Sequence, residues 1–157
     1  MRTSTDTLAT IGVTAGLVGG LAEVLWIGIY AASTDNDAAL VARAVTEAVG
    51  LGGFTASPVA SGMAIHFVLA ACLGIAIAFA LRPMGKFLND LGLYLVVISA
   101  LAVVWTVNFV IVLPLISPQF VYVVPYEVSL VSKLLFGVSA AWLFQLTNLT
   151  QSSLRHA

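Results

Sequence analysis

Four polar side chains stand inside long apolar stretches of this sequence: Glu23, His66, Asn108 and Lys133. A charged side chain in such a stretch costs about 2.5–3.5 kcal/mol on insertion scales and generally faces the interior of a helix bundle. Among the four, the carboxyl group of Glu23 and the imidazole of His66 are the best suited to exchange a proton. These residues are therefore candidates for binding a ligand or a proton.

The four side chains share one depth if each stretch is a helix. With a rise of about 1.5 Å per residue, Glu23 lies about 13 Å, His66 about 10 Å, Asn108 about 12 Å and Lys133 about 8–12 Å from the outer boundary. Two tryptophans accompany them on the sequence-predicted helices. Trp26 shares the face of Glu23, and Trp105 stands one turn from Asn108. The pattern predicts a small aromatic-walled cavity near the outer surface.

Small residues accompany the polar ones at helical spacing, and helices in lipid approach closely where such residues line the contact. We therefore expect the polar side chains to face other helices. The glycines predicted to line these contacts are Gly12, Gly16, Gly20, Gly62, Gly74 and Gly137.

A purely structural interpretation accounts for the same pattern. Glu23 and Lys133 would neutralise each other, while His66 and Asn108 would exchange a hydrogen bond. Such contacts fix the register of membrane helices at about 0.6 kcal/mol each. Both interpretations stay open at the level of sequence.

The composition assigns these residues to a membrane protein. Of 157 residues, 61% are hydrophobic and 8% are charged, against about 45–50% and about 25% in soluble domains. A net charge of −1 provides no basic surface for nucleic acid. A single cysteine, Cys72, excludes an internal disulfide and a Cys-based zinc site, and no metal site is predicted.

Four apolar stretches are long enough to cross a membrane. They predict an all-α polytopic protein, with one domain formed by four helices in an up-down bundle. The short polar turn between the second and third spans predicts that these two are neighbours. The spans cover about 8–32, 59–81, 91–116 and 128–146.

Orientation follows from the basic residues, which favour the cytoplasmic side. Arg2, Arg82, Lys86 and Arg155 fall on one side of the predicted membrane, and only Arg43 falls on the other. Both termini are therefore expected in the cytoplasm, with the chain in the cell membrane, the inner membrane if the source is bacterial.

The first outer loop contains a helical pattern over about 36–49. Thr34 is placed to cap this helix, Arg43 and Glu47 are spaced as an i,i+4 pair, and Gly50 is placed to end it. We expect a short amphipathic helix that lies on the membrane surface, caps the bundle or serves as a solvated connector.

Three segments carry a family resemblance. The stretches IHFVLAACLG at 65–74, WTVNFVIVLPLISP at 105–118 and KLLFG at 133–137 resemble small uncharacterised four-span bacterial inner-membrane proteins. That group has no assigned activity, so the resemblance implies topology alone. LAEV at 21–24 is locally similar to the first helix of small multidrug-resistance transporters, which implies exchange of a proton for a cationic substrate.

Three functions fit these observations. The first is a small proton-linked transporter or permease that titrates Glu23; the second is a non-catalytic accessory or assembly subunit of a larger membrane complex. The third is a quinone- or haem-binding protein that uses His66; otherwise no cofactor is expected. No phosphate loop, HExxH pattern or nucleophile with an oriented base is present, so no enzyme activity is predicted. The expected partners are the lipid bilayer and either further copies of the chain or a larger complex.

Overall fold

The computed structural model describes residues 5–34, 36–84 and 87–153, with side chains as far as residue 147. Arg2, Lys86 and Arg155, which enter the charge count above, lie outside the described residues. The described part is helical throughout its regular structure, without a strand. Its elements are α1 (Thr5–Ser33), α2 (Ala38–Ala48), α3 (Pro58–Leu81), α4 (Asp90–Thr106), a π-helical segment (Val107–Val112), α5 (Leu113–Ile116), α6 (Phe120–Val123) and α7 (Tyr126–Ser153).

Four of the described stretches are long and apolar enough to cross a membrane. Each contains one predicted span and extends it by at most three residues at either end. A helix satisfies its own backbone hydrogen bonds, which lipid cannot do. The all-α, four-span fold class is confirmed. The four stretches are Thr5–Ser33, Pro58–Leu81, Asp90–Ile116 and Tyr126–Thr147.

Small residues bring α1 and α3 together until their backbones touch. A methyl group added to Gly16 would overlap the carbonyl group of Ala70. On the facing helix, a methyl group on Gly74 would overlap the carbonyl group of Gly12. A methyl group on Gly20 would come within 2.8 Å of the Ala70 side chain. This contact therefore depends on the absence of side chains on both helices.

The helices pack in the order α3, α1, α7, α4. Helix α1 lies between α3 and α7, and α7 lies between α1 and α4. The predicted contact between the second and third spans was wrong, since α3 and α4 do not pack along their lengths. The short turn joins their ends only, whereas the glycine face of α3 is turned towards α1.

The end of the bundle near this turn is filled by a common core. Val97 of α4 and Phe136 of α7 are completely buried there, and Ile77 of α3 belongs to the same cluster. Gly137 lies where α7 meets α4, and a methyl group on it would come within 3.0 Å of Leu101. One end of the bundle is thus packed by side chains from all four spans.

The third span changes from an α-helix to a π-helix at its far end. The N–H of Leu113 donates to the carbonyl oxygen of Asn108, five residues back. Pro114 explains this change, because its ring would clash with the carbonyl group of Val110 in a regular α-helix and it has no N–H to donate. The sequence predicted a regular helix over 91–116 and missed this segment.

Helix α2 covers the other end of the bundle from α1 to α3. Asp37 caps it by accepting the N–H of Ala39 at 2.8 Å. The predicted cap, Thr34, instead donates its hydroxyl to the carbonyl oxygen of Tyr30. Gly50, with φ of 77°, allows the chain to turn where the helix ends. A short helix is therefore present within the predicted range of 36–49, with a different cap.

Candidate functional site

The site is built around an ion pair between the first and last spans. Lys133 Nζ lies 2.7 Å from Glu23 Oε1. The Glu23 side chain is 8% exposed and that of Lys133 16% exposed. The Lys133 ammonium also lies 5.3 Å from the centre of the Phe136 ring, within the range of a cation–π contact. The pair holds α1 against α7. Its cation, Lys133, is more accessible than its anion, Glu23.

His66 of α3 is the third ionisable member of this cluster. Its Nε2 lies 3.1 Å from the carbonyl oxygen of Gly20 and 3.9 Å from Glu23 Oε2. Both neighbours are acceptors, so Nε2 carries the proton and donates to Gly20. The hydrogen bond expected between His66 and Asn108 is not formed among the described residues; His66 binds the α1 backbone instead.

A cavity of about 550 Å³ opens beside the cluster, within the range of small-molecule sites. It lies between α1, α2, α3, the π segment and the start of α7. Most of its lining is aliphatic. All four polar residues predicted to share one depth line this single cavity, together with two serines: Glu23, His66, Asn108, Lys133, Ser129 and Ser132.

Several of the polar groups that face the cavity have hydrogen-bond donors without an acceptor among the described residues. Lys133 has three N–H groups, and Glu23 is the one acceptor that the described part of the chain gives it. The Asn108 amide and the Ser132 hydroxyl have no protein partner among residues 5–34, 36–84 and 87–147. Ser129 is already engaged, because it donates to the carbonyl oxygen of Tyr126. The cavity therefore offers unused N–H and O–H groups to a ligand.

The predicted aromatic wall is corrected by the positions of the two tryptophans. Neither ring lines the cavity. Trp26 Nε1 donates to the carbonyl oxygen of Val128 at 3.0 Å, and Trp105 Nε1 donates to Ser129 Oγ at 2.9 Å. Each indole satisfies its single donor at the beginning of α7 and holds that end in place. The aromatic contribution to the wall comes from Phe109 and Phe120 instead.

Helix α2 covers one end of the cavity. A methyl group on Gly62 would overlap the carbonyl group of Ala42, so Gly62 packs α3 against α2 rather than against another span. Thr46 is completely buried and donates to the carbonyl oxygen of Pro58 at 2.6 Å. Arg43 and Glu47 lie exposed on the opposite face, and the structure records no ion pair between these two described residues.

One side of the cavity opens between α3 and the π segment. Leu69 and Ile116 line the cavity and are also 57% and 60% exposed on the outer face of the bundle. Asn108 lies at the same opening and is exposed as well. Because α3 and the third span do not pack on each other, the cavity is continuous with the surface that faces lipid.

Thr46, Ser129 and Ser132 contribute to this site and were missed by sequence reasoning. Hydroxyl groups are common in membrane helices, where they bond to the preceding turn of their own helix. Their types alone therefore gave no signal. The usable signal was spacing, because Ser129, Ser132 and Lys133 fall on one face of α7 at i, i+3 and i+4.

Residues that could hold a cofactor or metal are few. Within the described residues, no group of three or more His, Cys, Asp and Glu side chains is placed to bind a metal ion. Cys72 is exposed on α3, and Met63 lines the cavity. His66 is the one described imidazole; His156 lies outside the described residues.

No family model, curated protein or solved structure matches this chain. The resemblance to small four-span inner-membrane proteins therefore stays a prediction, and the geometry of the site alone supports the function proposed below.

Proposed function

We propose that this membrane protein binds a small molecule in the cavity and couples its binding to a proton through the Glu23, His66 and Lys133 cluster. This is the binding centre of a small proton-linked transporter. The observation that carries the proposal is the position of the ion pair on the wall of a cavity of about 550 Å³.

An ion pair that only fixes helix register has no need of open space beside it. Burying charge is costly, and enclosing a pair completely between helices limits that cost only if every donor finds an acceptor. Here Lys133 keeps N–H groups that no described side chain accepts, and His66 is 25% exposed. Unused donors at an open cavity favour a ligand over a structural role.

Ligand binding is testable with three probes that share a ten-carbon chain: decanoate, decanol and decyltrimethylammonium. We expect at least one to bind saturably to the full chain in lipid nanodiscs, measured by titration calorimetry against empty nanodiscs. The heat should change with the ionisation enthalpy of the buffer, because binding takes up or releases a proton.

A matched pair of variants locates that binding. Gly28 lines the cavity and a methyl group on it meets no atom within 4 Å, so the side chain of Gly28→Phe begins in open space and should occupy part of the cavity. Leu25, on the same helix, is 59% exposed and is not among the lining residues. Binding should be lost in Gly28→Phe and kept in Leu25→Phe. Failure of all three probes to bind, or equal binding by both variants, would overturn the proposal.

The orientation proposed with this function puts the cavity near the outer surface, because α2 roofs it and the charge count places the loop of α2 outside. A reporter fused after residue 157 should be active in the cytoplasm, and one inserted at Gly53 should be active outside. The opposite pattern in intact cells would place the cavity near the cytoplasmic surface.

A further inference from the structure

We propose that the ligand is an amphiphile with a carboxylate head and an unbranched apolar tail. It enters from the bilayer between α3 and the π segment and binds together with one proton. This inference rests on the proposed function and names the ligand class for the same cavity.

The accessible charges favour an anionic head. Lys133 and His66 are 16% and 25% exposed, whereas Glu23 is 8% exposed and lies between them. A cationic head beside Glu23 would lie close to the Lys133 ammonium, which is 2.7 Å from this carboxylate, and the two like charges would repel each other. A carboxylate instead accepts the N–H groups of Lys133 that have no acceptor among the described residues, and this contact leaves the ion pair intact.

The Asn108 amide and the Ser132 hydroxyl also line the cavity without a described protein partner. They add donors at two further positions around the cavity. A carboxylate has about four lone-pair sites in two oxygens, so it can use several donors at once.

Charge balance requires a proton to accompany this head. Glu23 and Lys133 neutralise each other, so a bound carboxylate would leave one uncompensated negative charge in a space of low dielectric. Protonation of His66 at Nδ1 restores neutrality, and its Nε2–H already faces two acceptors, Gly20 O at 3.1 Å and Glu23 Oε2 at 3.9 Å. Among the described lining residues, α2 and the π segment add no further titratable group. The proton comes from water, and no covalent bond changes.

The lateral opening accounts for the tail. Leu69 and Ile116 belong both to the cavity lining and to the lipid-facing surface. A tail lying between them exchanges lipid contacts for protein contacts without crossing water. Helix α2 covers one end of the cavity, and a hydrogen bond from Thr46 ties it to the start of α3.

The three decyl probes separate the head groups. In nanodiscs, decanoate should bind about tenfold more tightly than decanol or decyltrimethylammonium. One charge-assisted hydrogen bond to the head group accounts for a difference in affinity of this size. Its binding should weaken from mildly acidic to mildly alkaline pH, with uptake of one proton in calorimetry. Tighter binding of decyltrimethylammonium would overturn this inference and leave the proposed function standing, whereas absence of binding by every probe would overturn both.

Two sets of variants test the head site and the route. Glu23→Gln combined with Lys133→Met should abolish the preference for decanoate while decanol still binds. Leu69→Trp should slow decanoate association, whereas Val68→Trp should not, because Val68 is 62% exposed but does not line the cavity. A retained preference in the double variant overturns the head assignment, and equal association rates in the two tryptophan variants overturn the route.

Discussion

Replacing Lys133 with methionine should destabilise the folded protein by about 3–5 kcal/mol, because it leaves a buried carboxylate without its cation. Glu23 is 8% exposed and its nearest cation in the structure is the Lys133 ammonium at 2.7 Å. Glu23→Gln alone should also be unfavourable, since it leaves the ammonium beside a neutral amide. Denaturant-induced unfolding in mixed micelles measures the change in the free energy of unfolding for both variants.

The double variant Glu23→Gln, Lys133→Met should recover most of the lost stability, because no uncompensated charge remains. If this double variant is as unstable as the singles, the two residues do not act as a pair. A stable double variant that has lost its preference for decanoate over decanol supports a working site. A stable double variant with an unchanged preference for decanoate assigns the pair to helix register alone.

Gly16→Leu should separate α1 from α3 and cost at least about 1–3 kcal/mol, the usual range for overpacking. A single methyl group at this position already overlaps the Ala70 carbonyl group, and backbone cannot move aside as a flexible side chain can. We expect a lower melting temperature in detergent. We also expect weaker cross-linking between cysteines introduced at the detergent-facing ends of the two helices.

Gly28→Leu provides the matched control on the same helix. A methyl group at Gly28 has no atom within 4 Å, so a side chain added there does not meet the backbone of another helix at its first atom. Its melting temperature should stay near that of the parent. Equal melting temperatures for the two variants would show that α1 and α3 do not depend on their close contact.

Much of the fold could be predicted because lipid imposes simple requirements on sequence. The four spans appear as long apolar stretches, and polar residues inside them must face protein. Glu23 and Lys133 therefore meet, as the structural interpretation required. Glycines such as Gly16 and Gly74 predicted which helix faces are in contact, since only small residues allow backbones to touch.

The order in which helices pack was not predictable in the same way. A short loop between α3 and α4 keeps the ends of these helices close together. It does not determine which face of each helix packs against which neighbour. Gly74 and Gly12 decide the pairing of α3 with α1, and this requires knowing which helix offers the complementary face. The cavity follows from that order, because it lies where α3 and the third span remain apart.

The π segment was the other feature beyond sequence reasoning. In an α-helix, residues i and i+4 are offset by about 40° around the helix axis. A row of residues at this spacing therefore moves gradually away from the face on which it began. The row Leu93, Val97, Leu101 faces the common core. Phe109 and Leu113 continue this row to a smaller buried cluster formed by Ala44 of α2, Phe120 and Val124. The wider π turns reverse the drift. Pro114 signalled a local break, but not that it would realign the helix.

The ion pair joins the first span to the last, which has a consequence for biosynthesis. At about 5–20 residues per second, the roughly 110 residues between Glu23 and Lys133 take about 5–20 s to synthesise. During this interval α1 can associate with α3, and Glu23 can already meet His66 but not its cation. The nascent chain therefore carries an incomplete polar cluster through most of its insertion, and only the arrival of α7 completes it.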